Sequence, residues 1–500
     1  MGYLTIVDAR GNKIPQAAVA GAYEGATTGR RLSAWGMSSA GPNASLYSSI
    51  STLRSRARDL TRNNSHADSA VETFVANLIG NGITPRWRRL KDSPDLKEEI
   101  QELWNDWAVE ADAAETCDFY GLQSLVTHEL IEAGEVLIRF RPRRPEDGLA
   151  VPLQLQVIEA DHLDEHYNSV APNGNDIRMG IEFNAIGRRT AYWLHRDHPG
   201  EMFLTARGGR VRVPASEIIH VFKPVRAGQI RGRSWFSSII LELREIDQCV
   251  DAELVRRKTT AMFGGFIIQP PSDYGNAGFP PVGTKTGETV GGQPLVALEP
   301  GQFPVLKNGM DVRFSQPHDV SGSYIDWMKQ QLRDVAQGIG VTYEQLTGDL
   351  TDVNYSSIRA GLLEFRRRCR MLQLQVIAHQ FCRRVVNYWL DTAVASGELR
   401  IPDYRKNRRK YKSVTWRPDG WDWVDPVKDR LGEQMDVRNG FKSRSQVIAE
   451  RGGDPEAVDS EVAEDNARAD RLGLIFDSDP RYTAKTGAMQ DAEDRGSITE

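Results

Sequence analysis

Five hundred residues are too many for one simple core and predict a chain of two to four units. Lysine and arginine number 63 against 68 aspartates and glutamates, a net charge of −5, which excludes binding nucleic acid by overall charge and leaves room only for local contacts. No apolar run approaches the roughly 18 residues of a membrane span, the N-terminus lacks a signal-peptide or lipidation pattern, and Cys117, Cys249, Cys369 and Cys382 form no C-x-x-C pair, so a soluble, reduced, unexported protein is expected.

Residues 1–44 are rich in Gly, Ala, Ser and Thr with isolated Tyr23 and Trp35, a composition that builds no core and predicts a flexible arm. From Ser45 the pattern is helical, with Leu53, Ala57 and Leu60 on one face. Asn63-Asn64 ends that helix, and Ser65-His-Ala-Asp68 is expected to cap a second one burying Val71, Phe74, Val75, Leu78 and Ile79. Ser93-Pro94 opens a third, with Leu96, Ile100, Leu103, Trp104 and Trp107 facing inward, and a fourth runs from about Leu122 to Ala133. The runs EVLIRFRP, VPLQLQVIE, RMGIEFN, TAYWLHR and EIIHVFKP then predict an antiparallel sheet, which makes this part of the chain α+β.

Most histidines fall among these strands: His162, His166, His195, His198 and His220, with Asp161, Asp164 and Asp197 nearby. Imidazoles and carboxylates at short spacing suit a divalent ion, so a metal-dependent hydrolase using His162, His166, His195 and His198 is one reading. The spacing opposes it, because no H-E-x-x-H is present, and strand-edge histidines with turn aspartates explain the same residues. No catalytic, metal or cofactor-binding residue is assigned. The chain also lacks G-x-x-x-x-G-K-[ST], so no ATP hydrolysis is expected.

Trp235 to about Phe263 reads as an amphipathic helix, residues 269–320 as a Gly/Pro-rich tip with short strands at QPLVALE, QFPVLK and DVRFSQ, and Tyr324 to Gly338 as a returning helix. A helix out, a tip and a helix back describe a projecting arm, which predicts contact with other copies. Next comes a Gly/Asp/Asn-rich loop, Gly348 to Tyr355, held between helices and mobile at its tip. No proline lies between Val353 and Ile401, so about forty residues can stay helical over roughly 60 Å. Its apolar stripe is Leu362, Phe365, Cys369, Leu372 and Val376, passing to Ile377, Phe381, Val385 and Tyr388. The other face carries Arg359, Arg366, Arg367, Arg368 and Arg370, with Glu364 and Arg368 expected to pair.

The run RIPDYRKNRRKYKSVTWRP is strongly basic, and with Tyr404, Tyr411 and Trp416 interleaved it supports a third reading, a DNA-binding patch over Arg405 to Lys412. Against this, KSVTWRP reads as a strand whose edge lysine and arginine protect. Three further helices start at Asp425-Pro426, Ser443-x-x-Gln446 and Asp454-Pro455-Glu456, before a loose polar tail from about Ser478.

The runs RARDLTRNNSHADSAVETFVANLIGNGI, GEVLIRFRPRR, LQLQVIEADHLD, IIHVFKP, GQIRGRSW, DAELVRRKTTAMFGGFI and GVTYEQLTGDLTDVNYSSIRAGLLEFRRR, in that order, resemble the portal proteins of tailed bacteriophages of the lambda-like type, over about Ser45 to Phe476. That resemblance implies a portal-type fold: an arm (1–44), an α+β wing (45–234), a stem helix (235–268), a clip (269–320), a stem/wing helix (321–346), a channel loop (347–356), a long wing helix with a return strand (357–425), a helical crown (426–476) and a tail (477–500). It also implies a virion protein assembled in the host cytoplasm. Usually twelve copies form a ring at one capsid vertex, which contacts the major capsid protein, scaffold, terminase packaging motor and head–tail connector and passes double-stranded DNA non-specifically, with no membrane. Gly348, Asp349, Asp352, Asn354 and Tyr355 are then expected to approach the channel. Arg359, Arg366 and Arg370 are expected to serve as inter-subunit or channel-side charge. A channel poor in cations lets DNA slide, because each phosphate neutralised by Lys or Arg adds affinity.

Overall fold

The computed structural model describes residues 36, 38–87, 90, 93–201, 209–262, 267–268, 284–290, 293–296, 305–306, 321–351, 353–421, 426–476, 479 and 481, without the side chains of 259–323, 355 and 426. The expected arm therefore lies almost wholly outside the described residues, as do most of the Gly/Pro-rich tip, the DVRFSQ run and nearly all of the tail.

Among the described residues regular structure begins before Ser45, with a short helix at Pro42–Tyr47 held where Asn43 bonds Gly228 O and Ile230 N. Helices Ile50–Asn63 and Ser65–Leu78 follow, and the cap between them is Asn64 rather than Ser65: the Asn64 side chain accepts from Ala67 N at 2.9 Å. Pro94–Val109 starts with proline in its first turn as expected, and Phe119–Glu132 is capped by Asp118.

The strands form two antiparallel sheets rather than one. Glu135–Pro142 lies between Leu153–Glu159 and Ile218–Phe222 in a three-stranded sheet, while a separate five-stranded meander runs from Ser169–Val170 to Arg210–Pro214. The single expected strand RMGIEFN is two, because Met179-Gly180, both at positive φ, makes a turn between Asp176–Arg178 and Ile181–Phe183.

One apolar core joins the early helices, the three-stranded sheet and the long C-terminal helix. Trp87, Trp104, Trp107 and Trp389 cluster at its centre with Phe119 and Phe381. The long helix runs unbroken as Tyr355–Leu372, a π-helical stretch Gln373–Cys382, and Arg383–Ser396. The stretch suits its sequence: Gln373, Ile377, Phe381 and Val385 repeat every four residues and all are buried, a spacing favoured where i→i+5 bonds put more residues in each turn than the α-helix's 3.6.

Helices Ile240–Met262 and Ser321–Ile339 leave this core as an antiparallel pair. At the base Ile239 touches Gly338 so closely that a Cβ on the glycine would lie 2.3 Å from it, and Leu243, Ile246, Leu332 and Val335 are buried. Further out Leu254, Val255, Ile325 and Trp327 are exposed. All four cysteines are free; Cys369, buried as its place in the stripe predicts, and Cys382, next to Phe381, both lie in the core. Among the described residues no helix is long and apolar enough to cross a membrane.

Candidate functional site

The loop between the returning helix and the long helix is built by local hydrogen bonds. Thr342 and Gln345 form a capping box on the short helix Tyr343–Thr347, which ends at Gly348 in the left-handed conformation (φ +70°) that glycine adopts without strain. Asp349 folds back: its Oδ1 accepts from Thr351 N at 3.1 Å and from the Thr351 hydroxyl, and its Oδ2 from the Tyr343 hydroxyl at 3.2 Å. The Thr351 bonds, joined by that of Tyr343, hold its carboxyl below the usual range. Asn354 caps the long helix, accepting from Ser356 N at 3.1 Å. Asp349 and Asn354 thus spend their polar atoms on the loop and its flanks, and the exposed apolar side chain between them is Leu350. Asp352 and the side chain of Tyr355 lie outside the described residues.

The arginine face is engaged within the chain. Arg359 pairs with Asp429 of the helix Pro426–Arg438, and Arg366 and Arg370 lie 5.9 and 5.7 Å from the ring centre of Trp421, whose Nε1 donates to Asn77 Oδ1. Arg368 does not pair with Glu364; it donates to Gly340 O at 2.6 Å, filling the space beside a glycine at φ +102°. A second link to the C-terminal helices centres on Asp454, which takes Arg417 at 3.0 Å and Arg86 at 3.5 Å.

Three of the four histidines of the hydrolase reading come together. His162 and His198 meet edge to face at 5.5 Å, and the His162 ring reaches His195 O at 3.1 Å, whereas His166 lies apart against Tyr47. Glu159, Asp161 and His198 offer ligand atoms within 4.8 Å of one another. A cation is already there: Arg58 lies 3.0 Å from Glu159 Oε2 and 2.7 Å from Asp161 Oδ2. A metal ion would have to displace this guanidinium, so the donor set fits a structural ion pair.

The basic run also departs from expectation. Residues Tyr404–Tyr411 form a helix, and only Thr415–Arg417 is a strand, paired with Thr84–Arg86. Tyr404 and Tyr411 are buried, their hydroxyls bonded to Asp391 and Asp403, which removes them as stacking surfaces for bases.

Sequence reading missed a buried ionic centre. Glu135, fully enclosed, accepts from Arg231 Nε at 2.8 Å, from Gly232 N at 2.7 Å and from His220 Nε2 at 2.9 Å, and Arg54, also buried, lies 3.4 Å away. Burial alone would raise the Glu135 carboxyl, but the Arg231 charge and the His220 and Arg231 hydrogen bonds hold it far below the usual range. Burial lowers His220 to about 4, so it is neutral when it donates. The backbones meet here as well: a Cβ on Gly232 would lie 2.1 Å from Gly134 O. Arg58, Glu135, Asp161, His220 and Arg231 come from separate runs that carry the family resemblance, and this packing brings them within one connected network. The signal in the sequence was a charge inside an apolar strand, Glu135 in EVLIRF and His220 in IIHVF.

Comparison with known proteins bears on the family resemblance. The family described as phage portal protein, lambda family, matches residues 28–373. A probable portal protein of Halomonas phage phiHAP-1 is 30% identical over 442 residues, 86% of this chain and 82% of that protein. The portal protein of Escherichia phage N15 is 22% identical, covering 89% of both chains, and portal protein B of Escherichia phage lambda is 22% identical over 95% of this chain and 94% of its own. Among solved structures, a chain from the neck of an empty gene transfer agent particle aligns over 86% of this chain and 99% of its own, with a TM-score of 0.42 and 16% identity. With the family matched across well over half its length, the chain belongs to the lambda family of phage portal proteins.

Proposed function

We propose that this chain is the subunit of a ring, of about twelve copies, set at one capsid vertex, through which double-stranded DNA is packaged and later ejected. In this reading the paired helices are the stem, residues 269–320 are the clip toward the packaging motor, the helices of 426–476 are the crown, and the ring later carries the head–tail connector. The observation that supports it is the helix pair leaving the core with Leu254, Val255, Ile325 and Trp327 exposed. A narrow two-helix projection with apolar side chains in water is costly for a monomer and is covered when like copies stand beside it.

The loop at 348–354 then faces the channel. Its Asp349 and Asn354 would shape the loop rather than reach for DNA, and the loop contains no lysine or arginine to hold phosphates. Arg359, bound to Asp429, would fix the crown on the long helix and so set the loop's height, with Arg366 and Arg370 packing Trp421 beside that joint. No catalytic role is assigned to the chain; the motor supplies the work.

Negative-stain microscopy and native mass measurement of the purified chain test the reading. Rings with a central hole are expected, and a compact monomer under all conditions would overturn it.

A further inference from the structure

Two faces of the chain carry opposite charge, and among the described residues neither is neutralised. On helix Pro94–Val109, Asp95, Glu98, Glu99, Glu102 and Asp106 are all exposed, and at 100° per residue they fall within an arc of roughly 100°. The buried Ile100, Trp104 and Trp107 lie on the other side of this helix. Among the described residues none of the five carboxylates has an ion-pair partner. Elsewhere, two adjoining hollows of about 790 and 570 Å³ share Arg383 and Asn387 in their walls. Arg188 and Arg384 line the first, Arg409 and Lys412 the second. Asp391 takes Lys412 at 2.6 Å, but no carboxylate among the described residues reaches Arg188, Arg383, Arg384 or Arg409. In a chain of net charge −5 this trough is a local excess of cations.

The long helix separates the two faces. Its Trp389 packs on Trp104 and Trp107 of the acidic helix, at 5.1 and 6.2 Å between ring centres. Arg383, Asn387 and Arg384 stand roughly 120° to 220° round the same helix from Trp389. One copy therefore cannot bring its acidic stripe into its own trough, and the two patches look away from each other. A head-to-tail contact brings such patches together between copies, and closes a ring when its rotation divides a full turn.

We propose that the trough around Arg383 of one copy receives the acidic face of helix Pro94–Val109 of the next, an inference that rests on the ring reading and names its charged contact. Two variants test it. Glu98→Lys with Glu102→Lys cuts the stripe from five negative charges to a net of one, and Arg383→Glu with Arg409→Glu removes most of the positive charge of the trough; all four positions are exposed. Each variant alone is expected to lose the ring species in native mass measurement. Mixed in equal amounts they are expected to regain rings holding both variants in equal number, since alternate contacts are then the wild-type pair and the others set the introduced lysines against the introduced glutamates. Wild-type assembly should weaken as salt is raised from 0.1 to 1 M, where the screening length falls from about 10 to about 3 Å.

If a reversed variant melts below wild type by circular dichroism, the neutral Glu98→Gln with Glu102→Gln carries the test, with partial ring loss expected. Full rings from either reversed variant alone would overturn the contact and leave the ring reading standing. Absence of rings from the wild type would overturn both. Rings retained by Arg383→Glu with Arg409→Glu, alongside loss of salt-sensitive duplex binding, would make the trough a nucleic-acid surface and also overturn the proposal.

Discussion

Buried charge in this chain is tolerated where it is fully partnered, and Glu135 is the residue on which that partnership depends. It faces Arg231, Arg54, His220 and a backbone N–H at once. Glu135→Gln keeps the shape but leaves two buried guanidiniums short of a counter-charge, so a loss of about 3–5 kcal/mol is expected in urea unfolding. The contribution of this carboxylate is present above the ordinary glutamate range and fades as the pH falls below it, because its folded pKa is depressed. Glu129 has the opposite sign. Burial raises it to about 7 despite Arg58, with Glu159, Glu132 and Asp161 adding repulsion. Between about 4.5 and 7 the folded chain binds more protons at this site than the unfolded one, so stability falls as the pH rises through that window. Glu129→Gln is expected to flatten that slope and to raise stability at pH 8 by no more than about 3 kcal/mol, read from melting curves at pH 5, 6, 7 and 8. Wild-type-like pH dependence in the variant would assign the slope to another group. Neither role was legible beforehand. A lone glutamate opening an apolar strand looks the same whether it ends in solvent or in a cage of arginines, and the cage is assembled from positions up to 96 residues away.

At the scale of elements the long helix was legible and its interior was not. Freedom from proline and a steady apolar stripe are enough to expect Tyr355 to Ser396 as helix. The shift of the stripe from Val376 to Ile377 was visible as well, but only the hydrogen bonds identify it as a π-helical stretch. The basic run shows the reverse case: its charge was read correctly, yet Tyr404 and Tyr411 turn inward because Asp391 and Asp403 accept their hydroxyls. The C-terminal helices bury little apolar area, with Ala469 and Pro455 their main buried residues, and are held to the rest by Asp454 and Asp429. Asp454 also caps Pro455–Leu472. Asp454→Ala should cost about 1 kcal/mol for the cap and about 1–3 more for the stranded Arg417. Hydrogen exchange over 426–472 should quicken while the core around Trp389 keeps its protection. Asp454→Asn retains a good cap and loses the charge, so equal effects from both substitutions would show that the ion pair, and not the cap, anchors the unit.

For the whole molecule the proposed channel sets the constraint, because DNA would have to pass without being held. The acidic balance of the chain and the cation-free loop agree with that requirement, since a densely basic channel would bind duplex with steep salt dependence. The loop is short, and both of its ends are fixed: the capping box at Thr342 holds one side, Asn354 the other, and Arg368 pins the turn at Gly340 behind it. None of these anchors lies in Leu350 to Val353, so shortening that segment removes Thr351 and the two bonds that fold Asp349 back but leaves both anchored ends in place. Replacing it by two glycines is expected to leave ring formation and melting temperature unchanged. The same change should impair packaging, or the retention of packaged DNA, measured as nuclease-protected DNA per particle in an assembly assay. Loss of ring formation instead would make the loop an inter-subunit contact. Full packaging with intact rings would remove the loop from DNA handling and shift that role to the exposed faces of the helix pair.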